Sequence, residues 1–203
     1  MKDKIIKKAG ELFLTFGFKS VTMDDIANEM AISKKTIYQH FKNKTKLIET
    51  ITKHVFFKIS EGIDCICALD KNPIEEIFEI KYLIMQYLKG EKNSPQYQLQ
   101  KYYPKIYSSL KTMQFEMMCD CVSENLERGI KQGYYRSNIN ISFIARIYFS
   151  GVISVKDKDL FPEEQFPANI LLEEYLDYHL RGIVTEKGLI KLNQIINKNN
   201  QNE

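Results

Sequence analysis

A short polar stretch near the N-terminus carries the side chains best suited to contact a nucleic acid. They comprise hydrogen-bond donors, a pair of cations and one aromatic ring: Lys34, Lys35, Thr36, Tyr38, Gln39 and His40. Cations and hydroxyl groups bind phosphates, and a glutamine amide can pair with the edge of adenine in the major groove. If one helix face presents these side chains to solvent, we expect that face to fit a groove of double-stranded DNA.

Two short helices joined by a tight turn would position this polar face. Thr22 has the position of an N-cap, and Asp25 three residues later completes a capping box. Ser33 is predicted to cap the second helix, which leaves a turn at 31–33 short enough for a helix-turn-helix. The apolar residues expected to hold the two helices together are Ile26, Ala27, Met30, Ile32, Ile37 and Phe41.

At these residues the chain resembles the DNA-binding domain of the tetracycline-repressor (TetR) family. The matching residues run from Val21 to Ala27 and from Ile32 to Lys44, and continue at Leu47 and Ile48. The most specific part is the combination of Thr36-Ile37-Tyr38, Phe41, Lys42-Asn43-Lys44 and Leu47, all in one register. The resemblance covers roughly the first fifty residues.

The resemblance implies a set of DNA contacts. Thr36, Tyr38 and Lys44 look like phosphate contacts. Lys34, Lys35 and Gln39 look like base or groove contacts. The complete set predicted for the DNA interface is Thr22, Ser33, Lys34, Lys35, Thr36, Tyr38, Gln39, His40 and Lys44. The resemblance also implies a homodimer on a palindromic operator, acting as a repressor that a small molecule releases.

The charge distribution favours the same partner. Residues 1–58 hold twelve lysines against six acidic residues, a net charge of +6, whereas the whole chain of 203 residues carries +3. The net charge of the remaining residues is therefore −3, so the N-terminal segment is basic and the rest of the chain is acidic. A solvated lysine-rich surface would give the same pattern without any DNA. No apolar run reaches the roughly 20 residues that span a bilayer, so we expect a cytoplasmic protein without a membrane partner.

Helical periodicity along the chain predicts an all-α fold. The expected helices cover about 2–16, 45–69, 73–89, 103–131, 141–156 and 168–183, besides the helix-turn-helix, a short helix near 95–102 and a weak final helix near 185–196. Gly17 is predicted to end the first helix in a left-handed cap, and Gly90 to end the helix that begins at Pro73. The predicted domains are 1–46 for DNA binding, 47–197 for ligand binding and dimerisation, and 198–203 as a disordered tail.

Little in the chain suggests catalysis or a metal site. The four cysteines form two Cys-x-Cys pairs, Cys65 with Cys67 and Cys119 with Cys121. Residues two apart on a helix point about 200° apart, so neither pair can hold one metal ion on a helix. We read them as small core residues, with redox sensing as the open alternative. Since we find no phosphate loop, carboxylate pair or Ser-His-Asp order, we expect neither an enzyme nor a cofactor.

An aromatic and methionine-rich segment in the middle of the chain could bind an effector. Core packing explains most such residues, but several neighbouring tyrosines are more than a core needs, because each hydroxyl requires a partner. The residues predicted to line a pocket for an apolar or aromatic ligand are Tyr82, Met85, Tyr103, Tyr107, Phe115 and Met118. The alternative is a DNA-binding protein that a protein partner controls, or one that organises the chromosome.

The last two long helices are predicted to form a homodimer. One helix-turn-helix buries too little surface for tight specificity, so two half-sites and two copies are needed. The predicted seam consists of Ile144, Tyr148, Gly151, Val155, Tyr175, Leu176, His179 and Ile183. Gly151 would allow the helices to approach closely.

Overall fold

The computed structural model describes residues 1–88, 95–157, 159–162 and 164–200. Its helices are α1 (Lys2–Phe16), α2 (Met23–Glu29), α3 (Lys34–Tyr38), α4 (Lys44–Cys67), α5 (Pro73–Leu88), α6 (Pro95–Tyr102), α7 (Pro104–Lys131), α8 (Ile141–Ser154), α9 (Ala168–Arg181) and α10 (Glu186–Asn200). Within these ranges the only β-type pairing is an isolated bridge between Tyr135 and Val184. The predicted all-α fold is confirmed.

The long helices begin and end within about two residues of the predicted positions, which is the ordinary uncertainty of helix ends. Asparagine N-caps explain this agreement at the starts of α4 and α8. Asn43 accepts a hydrogen bond from the Lys46 amide at 2.8 Å, and Asn140 accepts one from the Phe143 amide at 3.0 Å. Each asparagine thereby satisfies a backbone donor that the first turn of its helix leaves open.

Two sequence expectations about chain ends need correction. Gly17 has φ 86° and ψ 153°, so its φ is positive as expected but its conformation is not the left-handed helical cap. At the C-terminus, α10 continues to Asn200, so residues 198–200 are helical rather than disordered. Residues 201–203 and Gly90, the predicted end of α5, lie outside the described residues.

The chain forms two compact units. The first contains residues 1–62 and 86–114, and the second contains 63–85 and 115–203. The first unit therefore holds the predicted DNA-binding segment 1–46, but it also includes α6 and the first turns of α7. The division into a DNA-binding domain, a ligand-binding domain and a tail stays a prediction.

The core of the first unit holds the helix-turn-helix in place. Its buried members come from α1 to α4, with Leu99 of α6 and Ile106 of α7 added: Ile5, Ile6, Ala9, Leu12, Phe13, Phe18, Val21, Met23, Ile26, Ala27, Ile37, Phe41, Leu47, Ile48, Ile51, Leu99 and Ile106. Because α3 is only five residues long, its orientation depends on this packing rather than on its own helical stability.

The second unit has a core of its own, with a buried polar network at one edge. Glu76 is fully buried and accepts two hydrogen bonds from Arg128 at 2.5 and 2.6 Å, and one from Asn125 at 2.8 Å. The Tyr135 hydroxyl donates to Asn125 at 3.0 Å. A buried carboxylate is tolerated here because a cation and an amide satisfy it. The network connects α5 to α7 within this unit.

Candidate nucleic-acid interface

The first helix of the helix-turn-helix begins in a complete capping box. Thr22 Oγ1 accepts a hydrogen bond from the Asp25 amide at 3.1 Å, and an Asp25 carboxylate oxygen accepts one from the Thr22 amide at 2.7 Å. These bonds hold the pKa of Asp25 below its usual value, mainly because the Thr22 amide stabilises the carboxylate. The box fixes where the chain enters α2.

The turn and the start of α3 follow the same local chemistry. Ala31 has a φ of 50°, and the Ile32 amide donates to the Ala27 carbonyl at 3.0 Å. Ser33 Oγ then accepts from the Thr36 amide at 3.1 Å and lies 2.8 Å from the Thr36 hydroxyl. The predicted caps at Thr22 and Ser33 are thus confirmed.

The outer face of α3 is exposed, as a recognition helix requires. Lys35, Tyr38, Gln39 and His40 are all exposed, and Thr36 is half-buried. On the opposite side Ile37 is fully buried in the core. The structure therefore brings these polar side chains together on one face of the first unit, where they can reach base edges or phosphates.

Two of the predicted contacts have partners that sequence reasoning missed. Lys34 Nζ donates to Asp24 at 2.6 Å, and this hydrogen bond raises the pKa of Lys34. A salt bridge at an exposed site contributes little to stability, so Lys34 can exchange Asp24 for the groove contact that the resemblance implies. Lys34 and Asp24 are ten residues apart and lie on different helices, so no helical spacing in the sequence indicates this ion pair.

Lys44, the first residue of α4, is directed back onto the α1–α2 connection. Its Nζ donates to the Lys19 carbonyl at 3.3 Å and lies 5.9 Å from the centre of the Phe13 ring. Burial lowers the pKa of this lysine, and Asp25 partly offsets the effect. Lys44 therefore holds a positive charge close to the first turn of α4, where backbone amides also favour anions.

Lys19 is a further candidate that the sequence did not single out. Its amide donates to Gln98 of α6 at 3.3 Å, and its Nζ lies 5.2 Å from the centre of the Tyr102 ring. The contact with Lys44 places it beside the predicted phosphate-binding residues. In the sequence, only the position of Lys19 within the basic segment 1–58 indicates that it could contact DNA.

The six residues predicted to bind a ligand are divided between the two units. Tyr103 and Tyr107 pack against the core of the first unit. Tyr82, Met85, Phe115 and Met118 belong to the second unit, where the edge of Phe115 meets Phe149 with ring centres 5.2 Å apart. The pocket prediction is therefore not supported by packing within either unit, and it stays a prediction.

A different cleft lies within the first unit, between α4 and the start of α7. It has a volume of about 300 Å³ and is lined by Thr45, Glu49, Thr52, Lys53, Lys105, Ile106, Ser109, Leu110 and Met113. None of the six predicted ligand residues is among them. Thr52 Oγ1 is buried and has no hydrogen-bond partner among the described residues.

The residues predicted for the dimer seam lie largely inside a single chain. Leu176 and Ile183 are buried in the core of the second unit, and His179 is 8% exposed. Tyr148 and Ile144 are half-buried against that core, and Val155, the C-cap of α8, is half-buried. Gly151 faces the Tyr175 ring, which a Cβ atom would approach to 2.2 Å. Gly151 thus allows α8 to approach α9 of the same chain.

The exposed apolar residues of α8 and α9 are different ones. Phe143, Ile147, Ile170 and Tyr178 are 58%, 45%, 49% and 81% exposed. Phe143 and Ile147 lie four residues apart on α8 and share one face. On α9, Ile170 and Tyr178 lie eight residues apart, and the exposed Glu174 stands between them. We call these four apolar residues the outer stripe. In the described ranges no helix is long and apolar enough to cross a bilayer.

Comparison with known proteins agrees with the geometry of the first unit. Residues 5–51 match the family described as bacterial regulatory proteins, tetR family. The biofilm operon icaADBC HTH-type negative transcriptional regulator IcaR of Staphylococcus aureus is 43% identical over 56 residues, which are 28% of this chain and 30% of IcaR. The similarity to this curated relative thus spans less than a third of its length.

Solved structures extend the fold similarity to most of the chain. SmeT, the repressor of the Stenotrophomonas maltophilia multidrug efflux pump SmeDEF, superposes with a TM-score of 0.70 at 16% identity, over 92% of this chain and 91% of SmeT. The ketosteroid transcriptional regulator KstR2 of Mycobacterium tuberculosis gives 0.62 at 18% identity, over 91% and 95%. The capped helix-turn-helix and the family match agree: residues 5–51 are similar to the tetR family of bacterial regulatory proteins, and the chain shares the fold of these solved regulators.

Proposed function

We propose that this protein is a non-enzymatic, sequence-specific DNA-binding repressor of transcription in the cytoplasm. The observation that carries the proposal is the exposed polar face of α3, held by two N-caps and a buried Ile37. Lys34, Lys35, Gln39 and His40 are available for base or groove contacts, while Lys44 supplies charge for a phosphate. The basic segment 1–58 strengthens this through counterion release.

Repression is supported by the relatives. IcaR is a negative transcriptional regulator, and SmeT is a repressor. A repressor needs only to occupy its operator, so a helix-turn-helix and a means of release are sufficient. The first unit of this chain contains the helix-turn-helix.

We propose a homodimer as the binding species. A five-residue recognition helix can read only a few base pairs, and two copies double the site. The outer stripe of α8 and α9, formed by Phe143, Ile147, Ile170 and Tyr178, is our proposed contact surface. A twofold axis would place the same stripe of both copies face to face. This surface replaces the sequence-predicted seam, whose central residues serve the core of one chain.

We propose that a small apolar or aromatic molecule controls release. SmeT is the repressor of a multidrug efflux pump and KstR2 is a ketosteroid transcriptional regulator, and a ketosteroid is a largely apolar molecule. The six residues predicted from the sequence stay candidates for ligand contact: Tyr103 and Tyr107 within the first unit, and Tyr82, Met85, Phe115 and Met118 within the second. Control by a protein partner is the alternative, and a ligand screen distinguishes the two.

The decisive experiment selects binding sites from random-sequence DNA with the purified protein. We expect an inverted repeat with half-sites about 10 base pairs apart, or a multiple of that, centre to centre. A Lys35→Ala/Gln39→Ala double variant serves as control and should recover no enriched sequence. Failure of the wild-type protein to enrich any sequence would refute the proposed function.

Release is then tested by linkage. A compound that lowers operator affinity must itself bind less tightly when operator is present, by the same factor. We expect such a compound to emerge from a screen of apolar and aromatic molecules against the free protein. If no compound binds, or if bound compounds leave operator affinity unchanged, a protein partner becomes the better explanation.

A further inference from the structure

Two of the four cysteines meet across helices rather than along one helix. Cys67 is the last residue of α4 and Cys121 lies on α7, and their Sγ atoms are 3.9 Å apart. Both residues belong to the second unit. The Cys-x-Cys spacing drew attention to each neighbouring pair, but the folded chain brings together one member of each.

The other two cysteines have different surroundings. Cys65 is exposed and Cys119 is half-buried. On a helix their side chains point about 200° away from those of Cys67 and Cys121, so the contact between α4 and α7 includes only one cysteine from each helix. Among the described residues no group of three or more His, Cys, Asp or Glu could hold a metal ion. The thiol pair is therefore not part of a tetrahedral metal site.

The two thiols differ in how readily they ionise. Burial raises the pKa of Cys67, with Glu76 and Asp64 adding to the effect while Cys121 and Arg128 oppose it. Burial raises the pKa of Cys121 much further. Since the thiolate is the nucleophile, Cys67 reacts first and Cys121 follows. The same burial makes both thiols slow to react at neutral pH, so brief or weak oxidants leave them reduced.

We propose that a hydroperoxide converts Cys67 and Cys121 into a disulfide that ties the last turn of α4 to α7. Cys67 first takes one oxygen atom from the hydroperoxide, which leaves as an alcohol, and becomes a sulfenic acid. The Cys121 sulfur then attacks the Cys67 sulfur, and water leaves. Overall, two thiols and one hydroperoxide yield one disulfide, one alcohol and one water, and two electrons pass to the peroxide.

The geometry allows this bond with small movements. The two sulfur atoms must approach from 3.9 Å to about 2.05 Å. Both side chains are half-buried, so rotations about their Cα–Cβ bonds can share that distance. The bond would close a loop of about 55 residues, a length at which cross-linking restricts the unfolded chain strongly.

Such a bond would restrict α4, a helix with two roles. Its first turns place Leu47 and Ile48 in the core that supports the helix-turn-helix, and its last residue is Cys67. A tether at that end would restrict a helix whose first turns support α3, and we expect operator affinity to fall as a result. This consequence for DNA binding rests on the proposed function, whereas formation of the disulfide does not.

The test uses the full-length reduced protein treated with hydrogen peroxide for several hours. We expect titratable thiols to fall from four to two, and a peptide containing Cys67 to be linked to one containing Cys121 in a non-reduced digest. The melting temperature should rise by roughly 5 °C or more and return after reduction. A link between other cysteines, or oxidation without any link, would overturn the proposal.

Matched variants separate the disulfide from general oxidation. A Cys65→Ser/Cys119→Ser double variant keeps the pair and should respond as the wild type does. Cys67→Ser and Cys121→Ala should show no linked peptide and no rise in melting temperature on oxidation. Each variant is compared with its own reduced form, so a stability change caused by the substitution itself does not affect the result.

Operator binding by oxidised and reduced protein tests whether the disulfide lowers DNA affinity. Oxidised wild type should bind its selected operator at least threefold less tightly than reduced protein, and Cys67→Ser should show no difference. Equal affinities with a verified disulfide would overturn the regulatory part alone. If the disulfide forms but neither state binds any DNA, the proposed function fails while the thiol chemistry stands.

Discussion

At the scale of residues, we expect single side chains on the exposed face of α3 to set which DNA sequence is bound. Gln39 follows α3 as its C-cap and is exposed, so its amide can meet a base edge. Gln39→Ala should relax preference at one base pair in each half-site, by about 1–3 kcal/mol for that base. Binding measured against operators with each base replaced in turn will show this.

The position-specific loss distinguishes Gln39 from a phosphate contact. Operators changed elsewhere should keep their relative affinities for the Gln39→Ala variant. A uniform loss across every operator would assign Gln39 to the backbone instead, and an unchanged base preference would remove it from the interface.

Lys44 is expected to set affinity rather than sequence choice. Lys44→Ala should weaken binding to all DNA and lower the slope of log affinity against log salt by about one unit, because one phosphate contact is lost. Lys58→Ala removes the same charge from an exposed position further along α4. It controls for net charge and should leave the slope unchanged. Equal slopes for both variants and the wild type would contradict the assignment.

His179 should make stability depend on pH. Burial between the Tyr148 and Tyr175 rings lowers its pKa to about 4, whereas the unfolded chain has the ordinary value near 6.5. Above pH 6.5 the imidazole is neutral in both states. As pH falls from 6.5 to 4, the imidazole becomes protonated in the unfolded chain but stays neutral in the folded chain. The free energy of unfolding therefore falls, by at most about 3 kcal/mol.

The comparison needed for His179 is between pH slopes, not absolute stabilities. Urea denaturation at several pH values should show a smaller decrease between pH 6.5 and 4 for His179→Phe than for the wild type. Carboxylates titrate in both proteins, so the difference between the two slopes isolates the imidazole. Parallel slopes would mean that His179 is accessible to solvent.

At the scale of helices, the end of α1 depends on a conformation that only glycine adopts easily. Gly17 combines φ 86° with ψ 153°, a region essentially closed to other residues. A Cβ atom there would also lie 2.4 Å from the Gln98 side chain of α6. Gly17 therefore allows the α1–α2 connection to pass close to α6.

Gly17→Ala should destabilise the first unit by roughly 1–3 kcal/mol. Gly133→Ala is the matched control, because Gly133 also has a positive φ, of 76°, but a Cβ atom would meet nothing within 4 Å. We expect the smaller loss there, measured by thermal unfolding. Similar losses at both sites would mean that the contact with Gln98 contributes nothing.

At the scale of the whole molecule, the exposure of each side chain indicates which substitutions should separate the proposed dimer and which should unfold one chain. Ile147→Glu/Tyr178→Glu places charges on the outer stripe, twice in a symmetric interface, and should give folded monomers by light scattering. Leu176→Glu is a contrasting variant, because Leu176 is 1% exposed within one chain. An unpaired charge there should unfold the second unit rather than separate two copies.

Helical content in circular dichroism distinguishes the two outcomes. The double variant should retain the wild-type spectrum, whereas Leu176→Glu should lose helix. A double variant that stays dimeric would place the interface elsewhere. A folded monomer from Leu176→Glu would restore the seam predicted from the sequence.

The sequence by itself determined the helices and the helix-turn-helix. Thr22 and Ser33 cap helices as predicted. These features depend on residues no more than about four apart in sequence, so the local pattern contains nearly all the information. The same holds for the exposed face of α3, since Ile37 and Phe41 define its buried side.

Only the tertiary structure decided which residues meet across long separations. The contact between Cys67 and Cys121 and the ion pair of Lys34 with Asp24 join residues of different helices. On α8, apolar residues occur on nearly every side, so periodicity could not tell the core face from the outer stripe. Packing against α9 decides which face of α8 is buried. The face that contains Gly151 lies against Tyr175 of α9, and Ile147 is left exposed.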